Sequence, residues 1–111
     1  MIKKMIEFIG HRGYPEIFPE NTFSSFQYIF DHPSAQVAGI ELDIQLSKDN
    51  KIVVFHDKSA SNLSRKKYLI SDMEYLELKK IKIKKNNIID YIPLLENILD
   101  IAPENKKILI E

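Results

Sequence analysis

The order in which strand-like and helix-like patterns follow each other is the feature that most restricts the fold of this chain. Continuous or period-two apolar runs indicate strands, and apolar residues three or four positions apart indicate helices. The resulting order is strand, helix, strand, strand, helix, helix, strand, which is typical of the α/β class. The predicted strands are residues 5–9, 39–47, 51–57 and 106–111, and the predicted helices are residues 22–31, 71–81 and 92–102.

Local signals predict where the helices begin. Asn21 and Thr22 are candidate N-caps of the first helix, because their side-chain oxygens can accept backbone N–H groups. Ser71 and Glu74 have the spacing of a capping box at the start of the second helix. Pro93 is tolerated in the first turn of the third helix. Residues 58–70 are polar and are predicted to be irregular.

The segment GIELDIQLS at residues 39–47 alternates apolar and polar side chains, as a strand with two different faces does. Glu41 and Asp43 lie two residues apart on the polar face, so their carboxylates project to the same side, about 7 Å apart along the strand. On an exposed sheet face the pair would simply be solvated. In a barrel interior the carboxylates would need a cation, and Ca²⁺ and Mg²⁺ prefer such oxygen ligands.

Two histidines each follow an apolar strand, and each has a polar neighbour: Arg12 beside His11, and Asp57 beside His56. A histidine in this position often has only a structural role. As a pair, His11 and His56 would suit a general acid and a general base, because imidazole titrates near neutral pH. Asp57 would either orient His56 or cap a loop.

Three further residues in the segment after the first strand are candidates for a site. Arg12 is planar and permanently charged, so it would either contact phosphate oxygens at two points or form a surface ion pair. Glu20 would either add a carboxylate to a metal cluster or remain a loop residue. Asn21 would either cap the helix or lie beside the metal.

The Lys-Asp-Asn turn signal at residues 48–50 brings these candidates together. If residues 39–57 form a hairpin around it, Asp43 lies opposite Phe55, and His56 comes close to the carboxylates. If the two segments are parallel neighbours, both motifs lie at the same carboxyl end of the sheet, where α/β proteins build their sites. Either arrangement predicts convergence of the carboxylates and His56.

Composition narrows the range of partners. The 111 residues include 16 basic and 16 acidic side chains, so the formal net charge is zero, which argues against binding to nucleic acid or an anionic membrane. The basic run at 81–85 is interpreted as a solvated face. Cysteine is absent, which excludes disulfides. Apolar runs are too short for a transmembrane helix or a signal peptide, so we expect a cytoplasmic protein.

Six short motifs, taken together, make the chain similar to the glycerophosphodiester phosphodiesterase family. They are GHRG at 10–13, PENT at 19–22, ELD at 41–43, HD at 56–57, IPLLENIL at 92–99 and ILIE at 108–111. Each motif is weak alone, but their order and spacing along nearly the whole chain are specific. The resemblance implies a TIM-type barrel that hydrolyses glycerophosphodiesters to glycerol 3-phosphate and an alcohol, with Ca²⁺ or Mg²⁺ as cofactor.

The resemblance also implies roles for individual residues. His11 and His56 resemble the acid/base pair, and Arg12 resembles a contact to the substrate phosphate. The implied metal ligands are Glu41, Asp43 and Glu111. The residues that remain candidates for a place in or beside the metal site are Glu20, Asn21 and Asp57.

Chain length sets the remaining expectations. A TIM barrel takes about 250 residues, so this chain is expected to be the N-terminal half of one barrel domain, with about four of the eight strands and no internal boundary. Two strand edges would then be unpaired. The alternatives are a catalytically incomplete fragment, a half-barrel active only as a homo-oligomer, and a non-catalytic remnant that binds metal or phosphate. A sphingomyelinase-type phospholipase D or a phosphoinositide-specific phospholipase C is a more distant alternative.

Overall fold

The computed structural model describes residues 6–61 and 66–111, and it confirms the α/β class. The strands are β1 (Phe8–His11), β2 (Val37–Leu42), β3 (Ile44–Leu46), β4 (Ile52–Val54), β5 (Ser59–Ser61), β6 (Lys67–Leu69), β7 (Ile83–Lys85), β8 (Ile88–Asp90) and β9 (Lys107–Ile110). The helices are α1 (Phe23–Phe30), α2 (Tyr75–Leu78) and α3 (Leu95–Ile101), and a 3₁₀ turn at Ile70–Asp72 precedes α2. The strand predicted at 5–9 is displaced along the chain, because β1 runs from Phe8 to His11; residue 5, where the prediction begins, lies outside the described residues.

A three-stranded parallel sheet in the order β1-β2-β9 is the centre of the fold. His11 pairs with Glu41, and Glu41 pairs with Leu109, so the carboxyl ends of the three strands lie at one edge of the sheet. This sheet is open in the described residues. The segment 51–57 does not add a fourth parallel strand to it, because β4 pairs antiparallel with β3.

Helices α1 and α3 pack beside the parallel sheet and complete its main core. Ile40 and Leu42, two residues apart on β2, are both fully buried in this core, as their alternation predicts. The complete burial of Phe26 on α1 stabilises the fold by about 1.5–3 kcal/mol. The buried core residues are Phe26, Ile29, Phe30, Ile40, Leu42, Val54 and Ile98.

The strand predicted at 39–47 is divided at Asp43, which corrects the prediction of one continuous strand. β2 stays in the parallel sheet, whereas β3 forms a hairpin with β4 around the predicted turn. Asn50 in this turn has a φ of 60°, a left-handed conformation that asparagine tolerates. The predicted hairpin alternative is confirmed, because the Phe55 N–H donates to the Asp43 carbonyl at 3.0 Å.

Residues 58–90 form a second, smaller unit of structure that the sequence predicted only in part. Two antiparallel hairpins, β5–β6 and β7–β8, lie on either side of α2 along the chain. The β5–β6 hairpin corrects the prediction that residues 58–70 are irregular. Residues 62–65 of that range lie outside the described part. The buried residues of this unit are Ala60, Ile70, Leu78 and Ile81, and they share one hydrophobic core with Val53 of β4 and with Ile92.

The predicted starts of the second and third helices are also wrong. Ser71 belongs to the 3₁₀ turn and is not the N-cap of α2, because α2 begins at Tyr75, directly after Glu74. The first N–H of α2, that of Tyr75, is instead bonded at 3.1 Å by the carboxylate of Asp49 in the β3–β4 turn. Pro93 lies two residues before α3, and its carbonyl accepts the N–H of the last residue of β4. In both cases a partner distant in sequence overrides the local signal.

We predict that Gly39→Ala lowers the free energy of unfolding by about 1–3 kcal/mol. A Cβ atom at Gly39 would collide with the β9 backbone, lying 2.7 Å from the nitrogen of Lys107. A hydrogen-bonded backbone cannot move aside as a flexible side chain can. Urea unfolding measures the effect, with Gln36→Ala, an exposed position just before β2, as the control. Equal unfolding midpoints for Gly39→Ala and the unmodified chain would contradict the prediction.

Candidate active site

Three carboxylates meet at the carboxyl edge of the parallel sheet. One oxygen from each of Glu41, Asp43 and Glu111 lies within 4.8 Å of the other two. Glu41 belongs to β2, Asp43 occupies the break between β2 and β3, and Glu111 follows β9. The structure therefore brings together the three residues that the sequence predicts as metal ligands, although Glu111 is distant from the others along the chain.

The backbone on both sides of the strand break holds Glu111 in place. The Glu111 N–H donates to the Leu42 carbonyl at 2.9 Å, and the Glu111 carbonyl accepts the Ile44 N–H at 2.9 Å. These two bonds continue the β2–β9 pairing across Asp43. The main chain of Glu111 is therefore fixed next to Asp43, while its side chain remains exposed.

Glu41 lies in an environment that disfavours a lone carboxylate. Burial raises the pKa of Glu41 above its ordinary value of 4.5, and the nearby Glu111 carboxyl and the charge of Asp43 raise it further, while Arg12 and His11 act in the opposite direction. Its Oε2 atom is buried and lacks a hydrogen-bond partner in the part of the chain that the structure describes. An unpartnered buried carboxylate oxygen is costly. A hard divalent cation such as Mg²⁺ or Ca²⁺ fits this set of oxygen ligands.

Arg12 connects the loop after β1 to the carboxylates. Its Nε atom lies 3.2 Å from Asp43 Oδ2, and its Nη1 atom lies 3.1 Å from Glu20 Oε2. Its backbone N–H points to Glu41, 2.9 Å from the carbonyl and 3.2 Å from Oε1. The φ of Arg12 is 57°, a left-handed conformation that is costly for a residue with a side chain and that clusters at functional sites. Glu20, a candidate metal residue, is placed against this guanidinium.

Asn21 is buried and bonds to the site, not to the start of α1. Its side-chain nitrogen donates to Asp43 Oδ2 at 3.0 Å, and its side-chain oxygen accepts the Asp43 N–H at 3.4 Å. Thr22 occupies the N-cap position of α1, but its hydroxyl donates to the Pro19 carbonyl. Within residues 6–61 and 66–111, therefore, neither predicted cap accepts a backbone N–H of α1 with its side chain. The prediction of a side-chain cap is wrong, because the Asn21 side-chain amide is hydrogen-bonded to Asp43 instead.

Sequence reasoning missed Ser25, which closes the loop between β1 and α1. The Ser25 hydroxyl accepts the Tyr14 N–H at 2.6 Å and donates to the Arg12 carbonyl at 3.2 Å. Gly13 has a φ of 90°, and a Cβ atom there would lie 2.9 Å from the Ser25 backbone. Gly13, the second glycine of the GHRG motif, is therefore required by the close approach of α1. Small residues at 24 and 25 inside a predicted amphipathic helix are the only sequence signal for this contact.

His11 is the last residue of β1, and its side chain is exposed. Its Nε2 atom lies 3.9 Å from Glu41 Oε1, which is too long for a hydrogen bond. His11 also lines a cavity of about 500 Å³ beside β1, together with Tyr14 and Tyr28, whose rings stack with centroids 4.7 Å apart. The imidazole is therefore accessible to a ligand at this edge of the sheet.

His56 follows β4, and two neighbours set its orientation. Its Nδ1 atom lies 2.6 Å from Asp57 Oδ1. Because an ionised carboxylate only accepts hydrogen bonds, Nδ1 carries the hydrogen and Nε2 is left for a ligand. Gln45 donates to the Phe55 carbonyl at 2.9 Å and to the Asp57 carbonyl at 2.7 Å, which holds this segment beside β3. Sequence reasoning missed Gln45, although it lies on the predicted polar face of 39–47. The approach of His56 to the carboxylates stays a prediction.

The fold and the site together define the class of this protein. It is an α/β protein whose acidic cluster, arginine and histidine lie at the carboxyl edge of a parallel sheet, the edge where α/β enzymes place their active sites. In the described ranges, none of the helices has the length and apolar character needed to cross a membrane.

Comparison with known proteins gives the family. The sequence model of the glycerophosphoryl diester phosphodiesterase family matches residues 11–111, so the chain belongs to this family. A glycerophosphodiester phosphodiesterase from Bacillus altitudinis is 34% identical over 110 residues, which cover 96% of this chain and 44% of the relative. The resemblance predicted from the short motifs is therefore confirmed.

Solved structures of similar proteins agree with this assignment. A glycerophosphodiester phosphodiesterase from Thermotoga maritima superposes with a TM-score of 0.79 at 30% identity, over 98% of this chain and 44% of that one. A phosphodiesterase from Oleispira antarctica, in complex with the product sn-glycerol-3-phosphate, gives a TM-score of 0.76 at 25% identity, over 96% and 44%. The chain spans less than half the length of these relatives.

Proposed function

We propose that this chain carries out metal-dependent hydrolysis of glycerophosphodiesters to glycerol 3-phosphate and an alcohol, as the N-terminal portion of a barrel domain. The observation that carries the proposal is the meeting of Glu41, Asp43 and Glu111 next to Arg12 at the carboxyl edge of the sheet. Family membership supports the reaction class. The relative with bound sn-glycerol-3-phosphate supports the product class.

The three carboxylates would hold a divalent cation, Mg²⁺ or Ca²⁺. Their donor atoms are all carboxylate oxygens, and the buried Glu41 Oε2 has no other partner among the described residues. When bound, such a cation supplies positive charge that offsets the negative charge developing on a phosphate. Binding the substrate and moving its protons are left to the other side chains of the site.

Arg12 would bind the phosphate of the substrate. Its guanidinium is planar and permanently charged, so it can contact two phosphate oxygens at once. The ion pairs with Asp43 and Glu20 hold the side chain at the carboxyl edge of the sheet. Its Nε atom is buried and makes no hydrogen bond of normal geometry within the ranges that the structure describes.

His11 and His56 would move the two protons that hydrolysis requires. One imidazole accepts the proton of the nucleophile, either water or the neighbouring glycerol hydroxyl, as the new bond to phosphorus forms. Where the glycerol hydroxyl attacks, the product is a cyclic phosphodiester, and water must open it in a second step to give glycerol 3-phosphate. The other donates a proton to the alkoxide that leaves as the old bond breaks. Asp57 supports this role of His56, because its carboxylate fixes the hydrogen on Nδ1 and leaves Nε2 to exchange a proton.

The test is the release of glycerol 3-phosphate from glycerophosphocholine by the purified chain, with Mg²⁺, with Ca²⁺ and with EDTA. We expect release with at least one of the two cations and none with EDTA. Gel filtration of the active fractions shows whether one 13.0 kDa chain or two copies build the site. A chain that is folded by circular dichroism but releases nothing under any of these conditions would contradict the proposal and favour a catalytically incomplete fragment.

A further inference from the structure

We infer that Asp90 is a positioning residue for Arg12, and that it acts through the first turn of α1. This inference rests on the proposed contact of Arg12 with phosphate. Asp90 ends β8, in the part of the chain that carries none of the site residues, yet its carboxylate reaches α1. Asp90 Oδ2 accepts the Ser24 N–H at 2.9 Å and the Ser24 hydroxyl at 2.7 Å.

Asp90 accepts a backbone N–H group in the first turn of α1 that has no acceptor within the helix. The first turn of a helix has free N–H groups and carries partial positive charge. The first turn of α1 contains no acidic residue, and Thr22 in the N-cap position makes no capping bond with its side chain in the described part of the chain. The carboxylate of Asp90, which lies in a hairpin distant in sequence, therefore caps α1 in place of a local N-cap side chain.

The same hairpin has a second anchor on the loop that follows β1. The side-chain nitrogen of Asn86 donates to the Glu16 carbonyl at 3.1 Å and to the Ile17 carbonyl at 3.2 Å. Asn86 and Asn87 both have positive φ, at 50° and 65°, which is the backbone of the tight turns that join hairpin strands. The β7–β8 hairpin thus contacts the middle of the segment between Arg12 and α1 as well as the first turn of α1.

The first turn of α1 transmits this anchoring to Arg12. Ser25, the neighbour of Ser24, donates to the Arg12 carbonyl at 3.2 Å and accepts the Tyr14 N–H at 2.6 Å. The Asn21 N–H donates to the same Arg12 carbonyl at 2.9 Å. These contacts hold Arg12 in its left-handed conformation, with the guanidinium beside Asp43. Without the Asp90 contact, the first turn of α1 would be held less firmly, and Arg12 would be less fixed in its orientation.

The test measures binding of inorganic phosphate to the full chain by titration calorimetry in saturating Mg²⁺. We expect Asp90→Ala to weaken phosphate binding about tenfold, by analogy with the lower end of the loss caused by replacing a residue that orients a metal ligand. Asp90→Asn keeps an acceptor oxygen for Ser24 and is expected to restore most of the affinity. Affinity for Mg²⁺ is expected to stay unchanged in both variants. Asp100→Ala, which removes an exposed acid on α3, is the matched control.

A cycle with Arg12→Ala separates this inference from the proposed function. If Asp90 acts through Arg12, then Asp90→Ala has no further effect on phosphate affinity once Arg12 is replaced. An equal loss in both backgrounds would show a general structural role and overturn the inference. If Arg12→Ala alone leaves phosphate binding unchanged, then Arg12 does not bind phosphate, and the proposed function of Arg12 is wrong together with the inference that rests on it. Should Asp90→Ala not fold, Ser24→Ala enters the same cycle, with an expected loss of about threefold because one of two bonds remains.

Discussion

Alanine in place of His11 or His56 is expected to lower kcat for glycerophosphodiester hydrolysis by about 10²–10⁴-fold, the contribution of one positioned acid or base. Either variant would lack one of the two proton transfers, while Arg12 and the carboxylates would remain to bind substrate and cation. The cation-induced rise in Tm is therefore expected to persist. The measurements are kcat from glycerol 3-phosphate release and Tm with and without Mg²⁺.

The third histidine of the chain provides the control for this experiment. His32 lies in the loop between α1 and β2, where its Nδ1 atom accepts the Ser34 N–H at 3.2 Å. His32→Ala is expected to retain the kcat of the unmodified chain. A His56→Ala variant that also retained it would exclude His56 from proton transfer, and the same result for His11→Ala would exclude His11.

Glu41→Gln is expected to raise Tm in EDTA at pH 7 and to remove most of the rise in Tm that a divalent cation is expected to cause. The pKa of Glu41 is raised in the folded chain, with burial as the first cause. As pH rises from 4.5 through this raised pKa, the unfolded state releases the proton first, so folding becomes less favourable. Glutamine is neutral at every pH in this range and avoids the loss. Tm against pH in EDTA measures this effect.

The cation response of the same variant tests the metal site directly. A cation at 100 times its Kd stabilises the folded chain by about 2.7 kcal/mol, provided that it does not bind the unfolded state. Glu41→Gln replaces one of the three proposed carboxylate ligands, that of half-buried Glu41, by a neutral amide, so most of this gain should disappear. Glu104→Gln, an exposed acid before β9, is the matched control. An unchanged cation response in Glu41→Gln would exclude Glu41 as a ligand.

Period-two alternation and turn chemistry predicted the parts of the site that depend on nearby residues. Glu41 and Asp43 are predicted on one strand face, and their carboxylate oxygens do converge. The turn at 48–50 and the position of Asp43 opposite Phe55 are also confirmed. These features depend on strand geometry and on residues that tolerate a turn, which are properties of the local chain.

The missed features depend on partners that are distant in sequence. The strand break at Asp43 is stabilised by the Glu111 backbone, and an uninterrupted apolar alternation contains no sign of it. The Asn21 amide donates to Asp43, so a residue type that suits a helix N-cap bonds to the candidate site instead. The interpretation of the basic run 81–85 as a solvated face does not include β7, because the pairing of β7 with β8 depends on the positive φ of Asn86 and Asn87, which the sequence pattern does not reveal.

The way Glu111 is held has a consequence for redesign of the site. Its main chain is fixed by bonds to Leu42 and Ile44, whereas its side chain is exposed and is not needed for those bonds. Side chains at this position can therefore be exchanged with little effect on folding, in contrast to buried Asp43. In the proposed metal site, Glu111→His would replace one oxygen ligand by nitrogen and shift the preference from Mg²⁺ and Ca²⁺ towards transition metals such as Zn²⁺. In the proposed site, metal selectivity and fold stability would thus be largely separable at this one position of the cluster.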